Sequence, residues 1–258
     1  MKKLFRHLLI VLFLASFSLL SAQSFKFGIS TSGNLTWIST NDVTIKSHSP
    51  MSGVTMGLQA DYMFKPQWVL EAATSFFLNQ GGKLSYSTGG NFWPESELKV
   101  PKYNHGPKPI PDGSVMEYNM KFWSVSLGIK KMFNSRREAR TFVELPTLYF
   151  SNMLKARGAL RNQKILTENE NIINDLHRFQ FGLGTGVGIE KNITNNAAIY
   201  FSAQYIQYLT DLTKNGGFKS NFISLGNTTD PADDIYEQYA EHSRALLHGL
   251  SLKIGLLF

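Results

Sequence analysis

Apolar and polar residues alternate along most of this chain, and the alternation is clearest at its end. From Leu250 to Phe258 one face is apolar and carries Leu250, Leu252, Ile254, Leu256 and Phe258. The other face carries Ser251, Lys253 and Gly255, with Leu257 as an exception. A period of two is the geometry of a β-strand, because successive side chains point to opposite faces. The chain is therefore predicted to end in a strand with one apolar face.

The same alternation recurs in seven further segments, which begin near Phe25, Val54, Trp68, Tyr118, Thr141, Phe179 and Ala197. In the fourth segment the apolar parity slips at Phe122-Trp123, which predicts a β-bulge. The fifth is the least regular, since Pro146 removes a backbone donor from the ladder. The sixth has glycine at every second position from Gly182 to Gly188, which is predicted either to make room in a narrow lumen or to permit strong curvature.

The segments are joined alternately by short and long connections. The short ones are 65–67, 134–140 and 191–196, and the long ones are 39–53, 79–117, 151–177 and 210–245. Short periplasmic turns, long external loops and an even number of strands are typical of outer-membrane barrels. The pattern predicts an all-β fold, an eight-stranded antiparallel up-and-down transmembrane β-barrel with long external loops and both termini on the periplasmic side.

A soluble barrel of the lipocalin type would also alternate, but its apolar face would line the interior. Here large aromatic residues lie near both ends of the apolar face, as expected for girdles at the two membrane interfaces. The predicted girdle residues are Phe27, Trp37, Phe64, Trp68, Phe133 and Phe258.

The chain begins with a predicted secretory signal peptide. Basic residues precede the apolar stretch Leu8–Leu20, and Ser21-Ala22-Gln23 provides small residues for cleavage. An uncleaved anchor is the alternative, but the apolar stretch is short for a span of about 20 residues. The predicted organisation is a signal peptide over 1–22 and a barrel domain over 23–258, exported to the outer membrane of a Gram-negative cell.

Composition narrows the chemistry further. The chain has no cysteine, which excludes disulfides, thiolate metal sites and a cysteine nucleophile. Its formal charge is +7 with 26 basic and 19 acidic residues, and removal of the three basic residues of the signal peptide leaves 23 against 19, or +4. So mild an excess gives no reason to expect a nucleic-acid partner.

Seven charged residues fall on inward positions of the predicted strands: Lys26, Asp61, Glu71, Lys130, Glu144, Glu190 and Lys253. An eight-stranded barrel leaves an interior just wide enough for side chains, and unpaired charges there are costly. We therefore predict a lumenal ion-pair network of these seven residues that fills the barrel. The alternative is that several of them are hydrated near the periplasmic mouth.

Other candidate chemistry is weak. His177, His242 and His248 lie near predicted strand ends, with Ser243, Asp175 and Asp211 nearby in sequence, but no nucleophile motif accompanies them. The alternating glycines lie inside a strand and lack the spacing of a dinucleotide loop. Residues 230–234 resemble a helix start, with an apolar stripe over 235–240. We predict no catalytic, cofactor-binding or metal-binding residue, and no enzyme activity.

The mature region resembles the PorT-like outer-membrane β-barrel proteins. The resemblance is carried by Ser21-Ala22-Gln23, Gly81-Gly82-Lys83-Leu84, Gly89-Gly90-Asn91, the strand Phe122 to Lys130, Glu168-Asn169-Glu170-Asn171-Ile172 and terminal Phe258. It implies an eight-stranded outer-membrane barrel without cofactor, and some relatives take part in a protein-secretion and gliding apparatus.

The expected partners are outer-membrane lipid, the barrel-assembly machinery and envelope or secretion-complex proteins. The final Phe258 is the expected assembly signal for that machinery. The leading functional hypothesis is a structural or partner-binding role through the external loops, accessory to protein secretion. A narrow porin-like channel for small solutes is the second hypothesis, and a barrel-embedded hydrolase is the third.

Overall fold

The computed structural model describes residues 25–96, 98–99, 110–133, 139–162, 165–194, 197–223 and 235–258. The strands within these ranges are β1 (Phe25–Thr40), β2 (Ile45–Lys65), β3 (Trp68–Tyr86), β4 (Gly90–Asn91), β5 (Ser114–Phe133), β6 (Ala139–Asn162), β7 (Ile165–Asn171), β8 (Phe179–Asn192), β9 (Ala198–Tyr208), β10 (Phe218–Ile223), β11 (Ile235–Ala240) and β12 (Ala245–Leu257). One 3₁₀ turn covers Ile173–Asp175. The predicted signal peptide lies outside the described residues.

Eight of these strands pair in a closed ring. β1 pairs with β2, β2 with β3, β3 with β5, β5 with β6, β6 with β8, β8 with β9, β9 with β12 and β12 with β1, and every ladder is antiparallel. The backbones of Phe27 and Phe258 exchange two hydrogen bonds of 2.8 Å at the seam. The predicted eight-stranded antiparallel barrel is confirmed. We call the end that contains Phe27 and Phe258 the terminal end, and the opposite end the cap end.

The outer surface of the ring is apolar and its inner surface is polar over the half nearer the terminal end. Side chains of the predicted apolar face are exposed, among them Leu58 at 60%, Val187 at 57% and Leu252 at 71%. The inward residues between them are buried, including Gln59 and Ser251. This is the arrangement of a barrel that faces lipid. Within the described ranges, the chain contains no helix with the length and apolarity needed to cross a membrane.

Each of the long connections includes strand within the described residues. β3, β5 and β6 continue well beyond the exposed apolar band, and β7 pairs with the extension of β6. β4, β10 and β11 form a separate three-stranded sheet. Residues 235–240 are strand β11, which corrects the predicted helix there, while 230–234 lie outside the described residues.

The polarity of the two faces reverses along the extended strands. In β5 the inward side chains are Met116, Tyr118, Met120 and Phe122, whereas the outward ones include Lys121. β5 therefore alternates without interruption, and the predicted bulge at Phe122-Trp123 is wrong for this strand. The apparent slip in parity marks the level at which apolar residues change from facing inward to facing outward.

The irregularities lie instead on the strands beside β5. β3 shifts register between Phe77 and Gln80, and β6 shifts between Met153 and Lys155. The irregularity predicted at Pro146 is confirmed, since β6 shifts register between Glu144 and Thr147 against β8. Proline has no backbone N–H to donate to the ladder, and the shift in register falls where that donor is missing.

Candidate functional site

Lys130 lies at the centre of the charged residues in the lumen. Its Nζ is 2.5 Å from Glu71 Oε2 and 3.1 Å from Asp61 Oδ2, and all three side chains are almost fully buried. Lys253 Nζ approaches Glu71 Oε1 at 3.8 Å. The Lys130 ammonium also lies 5.3 Å from the ring centroid of Phe142. A cation held by two carboxylates and an aromatic face is strongly fixed in position.

A second group of charges forms around Glu190. Its Oε1 is 2.9 Å from Lys26 Nζ and 2.5 Å from Arg140 Nη2. Glu144 has no ion pair among the described residues and accepts a 2.8 Å hydrogen bond from Gln204 Nε2. The seven predicted residues therefore lie together in two ion-pair groups and one amide-bonded carboxylate, rather than in one continuous chain.

Strand register explains why these residues meet. Lys26, Asp61 and Glu71 are direct partners across β1, β2 and β3, and Lys130 faces Glu144 across β5 and β6. Inward positions at the same depth of neighbouring strands must converge on the barrel axis. With Arg140, the lumen contains four basic and four acidic side chains, so its formal charge is balanced.

Sequence reasoning did not include Arg140, because this residue was placed in a turn. It is the second residue of β6, and its parity matches that of inward Phe142 and Glu144. Because all three positions have even numbers, the alternation of the strand could have identified Arg140 as an inward residue. Tyr200 and Gln59 were also missed, and the Tyr200 hydroxyl donates to Gln59 Oε1 inside the lumen.

The alternating glycines of β8 lie directly beneath large side chains of β6. A Cβ at Gly184 would lie 2.8 Å from Tyr149 Cε2, and one at Gly186 would lie 2.9 Å from Glu144 Oε2. Such separations are shorter than van der Waals contact, so only glycine leaves room for these residues. The prediction that the glycine row makes room in the lumen is confirmed.

Apolar clusters lie on both sides of the charges. Toward the terminal end, the buried residues are Val69, Met132, Phe142, Ala198, Tyr200 and Leu257. Toward the cap end, a larger core includes Trp93, Tyr118, Phe122, Tyr149, Leu160 and Leu247. The acidic members of the network are all no more than 6% exposed, which argues against the alternative of hydrated charges near the mouth.

The connections at the cap end fold over the barrel as an ordered cap, which we define as residues 87–99, 110–113, 165–177 and 209–244 where the structure describes them. Trp93 is 2% exposed and packs edge-on against Tyr118 with ring centroids 5.6 Å apart. Asp175 accepts hydrogen bonds from the Glu95 backbone at 2.8 Å and from the Ser96 hydroxyl. Burial raises the pKa of the Asp175 carboxyl despite these bonds.

The cap is also tied to the β1–β2 turn. Lys219 of β10 forms an ion pair with Asp42. Burial alone would raise the pKa of Asp42, but hydrogen bonds from Lys219 and Thr44 outweigh it and the pKa is lowered. Nearby Glu241 is 5% exposed, and burial raises its pKa to about 7. The cap is thus held to the barrel wall by an ion pair as well as by packing.

Among the described residues, no side-chain hydrogen bond joins a candidate histidine to the candidate serine or to a candidate carboxylate. Asp175 binds the 93–96 segment, and Asp211 accepts hydrogen bonds from the backbones of Thr213 and Ala245. His248 Nε2 lies 2.7 Å from Ser39 Oγ, but its Nδ1 faces the Tyr205 hydroxyl at 2.8 Å and no carboxylate.

His248 lies on the outer face of the wall and stacks on Trp37 at 5.5 Å between ring centroids. The Ser39–His248 pair therefore lacks the acidic side chain that would stabilise a His248 imidazolium during nucleophilic catalysis. The described residues also contain no group of His, Cys, Asp and Glu that could hold a metal ion.

The predicted girdle residues lie near the two ends of the apolar band. Phe27, Phe64, Phe133 and Phe258 are exposed near the terminal end, and half-buried Trp68 lies beneath the Lys131 ammonium at 4.5 Å from its centroid. Half-buried Trp37 lies near the cap end of β1. Their role at membrane interfaces and the role of Phe258 in assembly stay predictions.

Comparison with known proteins gives one family match. The model of the outer membrane protein beta-barrel domain matches residues 8–228, which is more than half of the chain. No curated protein matches the chain.

Several solved structures are similar in fold. The Neisserial surface protein A (NspA) has 9% identity, a TM-score of 0.44 and coverage of 90% of this chain and 95% of that chain. OprG from Pseudomonas aeruginosa has 10% identity, a TM-score of 0.44 and coverage of 91% of this chain and 96% of that chain. Ail, the attachment invasion locus protein of Yersinia pestis, has 13% identity, a TM-score of 0.36 and coverage of 91% of this chain and 99% of that chain.

Proposed function

Because this chain belongs to the family of outer membrane protein beta-barrel domains, we propose that it is a closed, non-conducting and non-enzymatic barrel of the Gram-negative outer membrane that binds a protein partner through its cap. Its lumen provides no path for solutes, and its cap provides the only large ordered surface outside the lipid-facing band within the described residues. The partner belongs to the cell envelope.

The filled lumen is the observation that carries this proposal. Charged side chains pair across the half nearer the terminal end, and a packed apolar core occupies the half nearer the cap. Ion conduction would require these groups to be replaced by water along the whole axis. Eight-stranded barrels are narrow enough for side chains alone to fill them, so the porin-like alternative has no support from the geometry.

The cap supports the binding role because it is folded and held at several points. β10 pairs with both β11 and β4, and Lys99 Nζ donates to the Glu168 carbonyl at 2.5 Å. Ordered loops on a rigid scaffold lose little conformational entropy on binding. Exposed apolar side chains of the cap, which include Leu166 at 66% and Tyr239 at 46%, offer contact area, and Val43 of the adjoining β1–β2 turn is 85% exposed.

The resemblance to PorT-like proteins supports a more specific assignment. Some of those relatives take part in a protein-secretion and gliding apparatus, and the residues that carry the resemblance include Gly89-Gly90-Asn91 and Glu168–Ile172 of the cap. We therefore extend the proposal to an accessory role in protein secretion, with a secretion-complex protein as the partner of the cap.

Conductance tests the closed barrel. We expect no steady single-channel current when the purified chain is inserted in planar bilayers, with a porin of known conductance as the positive control. Large and steady currents from the wild-type chain would refute the closed-barrel proposal and restore the channel hypothesis.

Capture from native membranes tests the partner. We expect crosslinking and purification to recover an envelope protein with the wild-type chain, and much less of it with Leu166→Lys/Tyr239→Lys. Ile193→Lys is the matched control, because Ile193 is 59% exposed in the turn at the terminal end. Equal recovery by the wild-type chain and both variants would show that the cap is not the binding surface.

A further inference from the structure

Two lysines face each other on the outer wall with no acidic partner. Lys121 of β5 and Lys155 of β6 are direct register partners, and both are exposed. Directly opposite residues on one face of an antiparallel pair have Cβ atoms about 5 Å apart, and like charges there are destabilising. Neither lysine forms an ion pair with any carboxylate in the part of the chain that the structure describes.

The neighbouring carboxylates already have partners. Outward-facing Glu117 of β5 binds Lys83 at 3.2 Å, and Glu168 of β7 binds Arg161 at 3.4 Å. The pair of Lys121 and Lys155, which we call the basic cluster, is therefore uncompensated within the described residues.

The depth of the basic cluster matches a lipid headgroup region. One step along each strand toward the terminal end, the outward side chains become large and apolar, with Trp123 41%, Leu154 52% and Phe179 76% exposed. These residues mark the edge of the lipid-facing band toward the cap end, where outer-membrane barrels carry a girdle of aromatic residues. Lysine side chains at this depth extend their ammonium groups to the headgroups.

We propose that the basic cluster binds the phosphomonoester groups of anionic lipids in the leaflet that surrounds the cap end of the barrel, in contrast to the phosphodiester of zwitterionic phosphatidylcholine. A phosphate dianion between Lys121 and Lys155 turns a repulsive cross-strand pair into two charge-assisted hydrogen bonds. The inference rests on the membrane placement of the family and is independent of any protein partner of the cap.

The opposite side of the barrel offers no such site at this level. There β1, β9 and β12 present Trp37, Tyr205 and His248, which are bonded or stacked to one another. Lipid with a phosphomonoester headgroup is therefore expected to concentrate on the β5–β6 side rather than on the side of β1, β9 and β12. A protein that orders lipid on one side also has a fixed lateral orientation relative to its lipid neighbours.

Lipid binding is measured by native mass spectrometry of the full chain with phosphatidic acid as the probe. Each lysine near an anionic lipid surface contributes about 1 kcal/mol, which corresponds to about a 5-fold change in affinity. We expect Lys121→Gln and Lys155→Gln each to weaken binding about 5-fold, and the double variant about 25-fold. The matched control is Lys65→Gln/Lys191→Gln, which removes the same charge from exposed lysines near the terminal end. Equal weakening by the control would overturn the assignment.

The stability of the barrel in two lipid mixtures provides a second test. Replacement of a lysine with a purely structural role would shift the stability in the same direction in both mixtures. In phosphatidylcholine bicelles, Lys121→Gln relieves repulsion and is expected to raise the urea midpoint slightly. In bicelles that also contain phosphatidic acid, the same substitution is expected to lower it. A shift of the same sign in both lipids would overturn the proposal. If inorganic phosphate added to phosphatidylcholine bicelles stabilises the wild-type chain as much as phosphatidic acid does, the ligand is free phosphate and the lipid assignment is wrong.

Discussion

Replacement of Lys130 by methionine tests whether paired charges hold the lumen together. Methionine has nearly the length of lysine and no charge, so Lys130→Met removes the cation while it preserves most of the volume. The substitution leaves Asp61 and Glu71 buried, and only Lys253, at 3.8 Å from Glu71, remains as a neighbouring cation. Asp61 then has no basic partner within ion-pair distance among the described residues.

The expected loss of stability follows from this geometry. Breaking a buried ion pair from one side costs about 3–5 kcal/mol, because the remaining charge stays buried without compensation. Here two carboxylates lose a cation at 2.5 and 3.1 Å, so the upper half of that range is expected. The partly exposed Lys83–Glu117 pair on the outer wall, at 3.2 Å, is the matched control, since surface pairs contribute about 0–1 kcal/mol.

Urea unfolding in lipid bicelles, followed by tryptophan fluorescence and by the heat-dependent gel shift of folded barrels, measures the effect. Lys130→Met is expected to lower the free energy of unfolding by several times more than Lys83→Met. Adding Asp61→Asn to Lys130→Met is expected to recover about half of the loss, because one of the two uncompensated charges is removed. If Lys130→Met and Lys83→Met have equal effects, or if Asp61→Asn brings no recovery, the charges do not stabilise the lumen.

Three further predictions concern other parts of the molecule. Gly184→Val is expected to destabilise the barrel by about 1–3 kcal/mol through overlap with Tyr149, whereas Gly33→Val, whose Cβ would meet nothing within 4 Å, should be tolerated in the same urea assay. Because burial raises the pKa of Glu241 from 4.5 to about 7, stability should fall as the pH rises between these values, and Glu241→Gln should remove this dependence of the urea midpoint. Deletion of Phe258 is expected to impair membrane insertion in cells more than an equally short deletion in a cap turn, and equal insertion of the two would contradict an assembly role.

The sequence was most informative where the barrel wall contacts lipid. There each strand alternates an apolar outward residue with a small or polar inward one, so parity alone places Asp61, Glu71 and Lys130 in the lumen. Parity alone does not show which of these residues form ion pairs, because pairing depends on the register between neighbouring strands. The separation into a group around Lys130 and a group around Glu190 could therefore be seen only in three dimensions.

The cap end was harder to predict because its strands obey the opposite rule. Where a strand leaves the membrane, water replaces lipid outside, so the outward face becomes polar and the inward face apolar. Met116 and Tyr118 face inward and Lys121 faces outward in an alternation as strict as that of the wall. A search for apolar outward residues therefore detects the start of the fourth strand only near Tyr118, and it assigns the first residues of β5 and the extensions of β3 and β6 to loops.

The seam between β1 and β12 makes the polypeptide a ring in space, since Phe27 and Phe258 are bonded to each other. A short linker between the two ends of the described chain would therefore convert it to a circular permutant with the same eight ladders. New ends could be opened at the exposed Lys65–Gln67 turn between β2 and β3, which leaves every wall strand intact. The order of strands along the gene is thus separable from their order around the barrel, and the permutant allows the two to be varied independently.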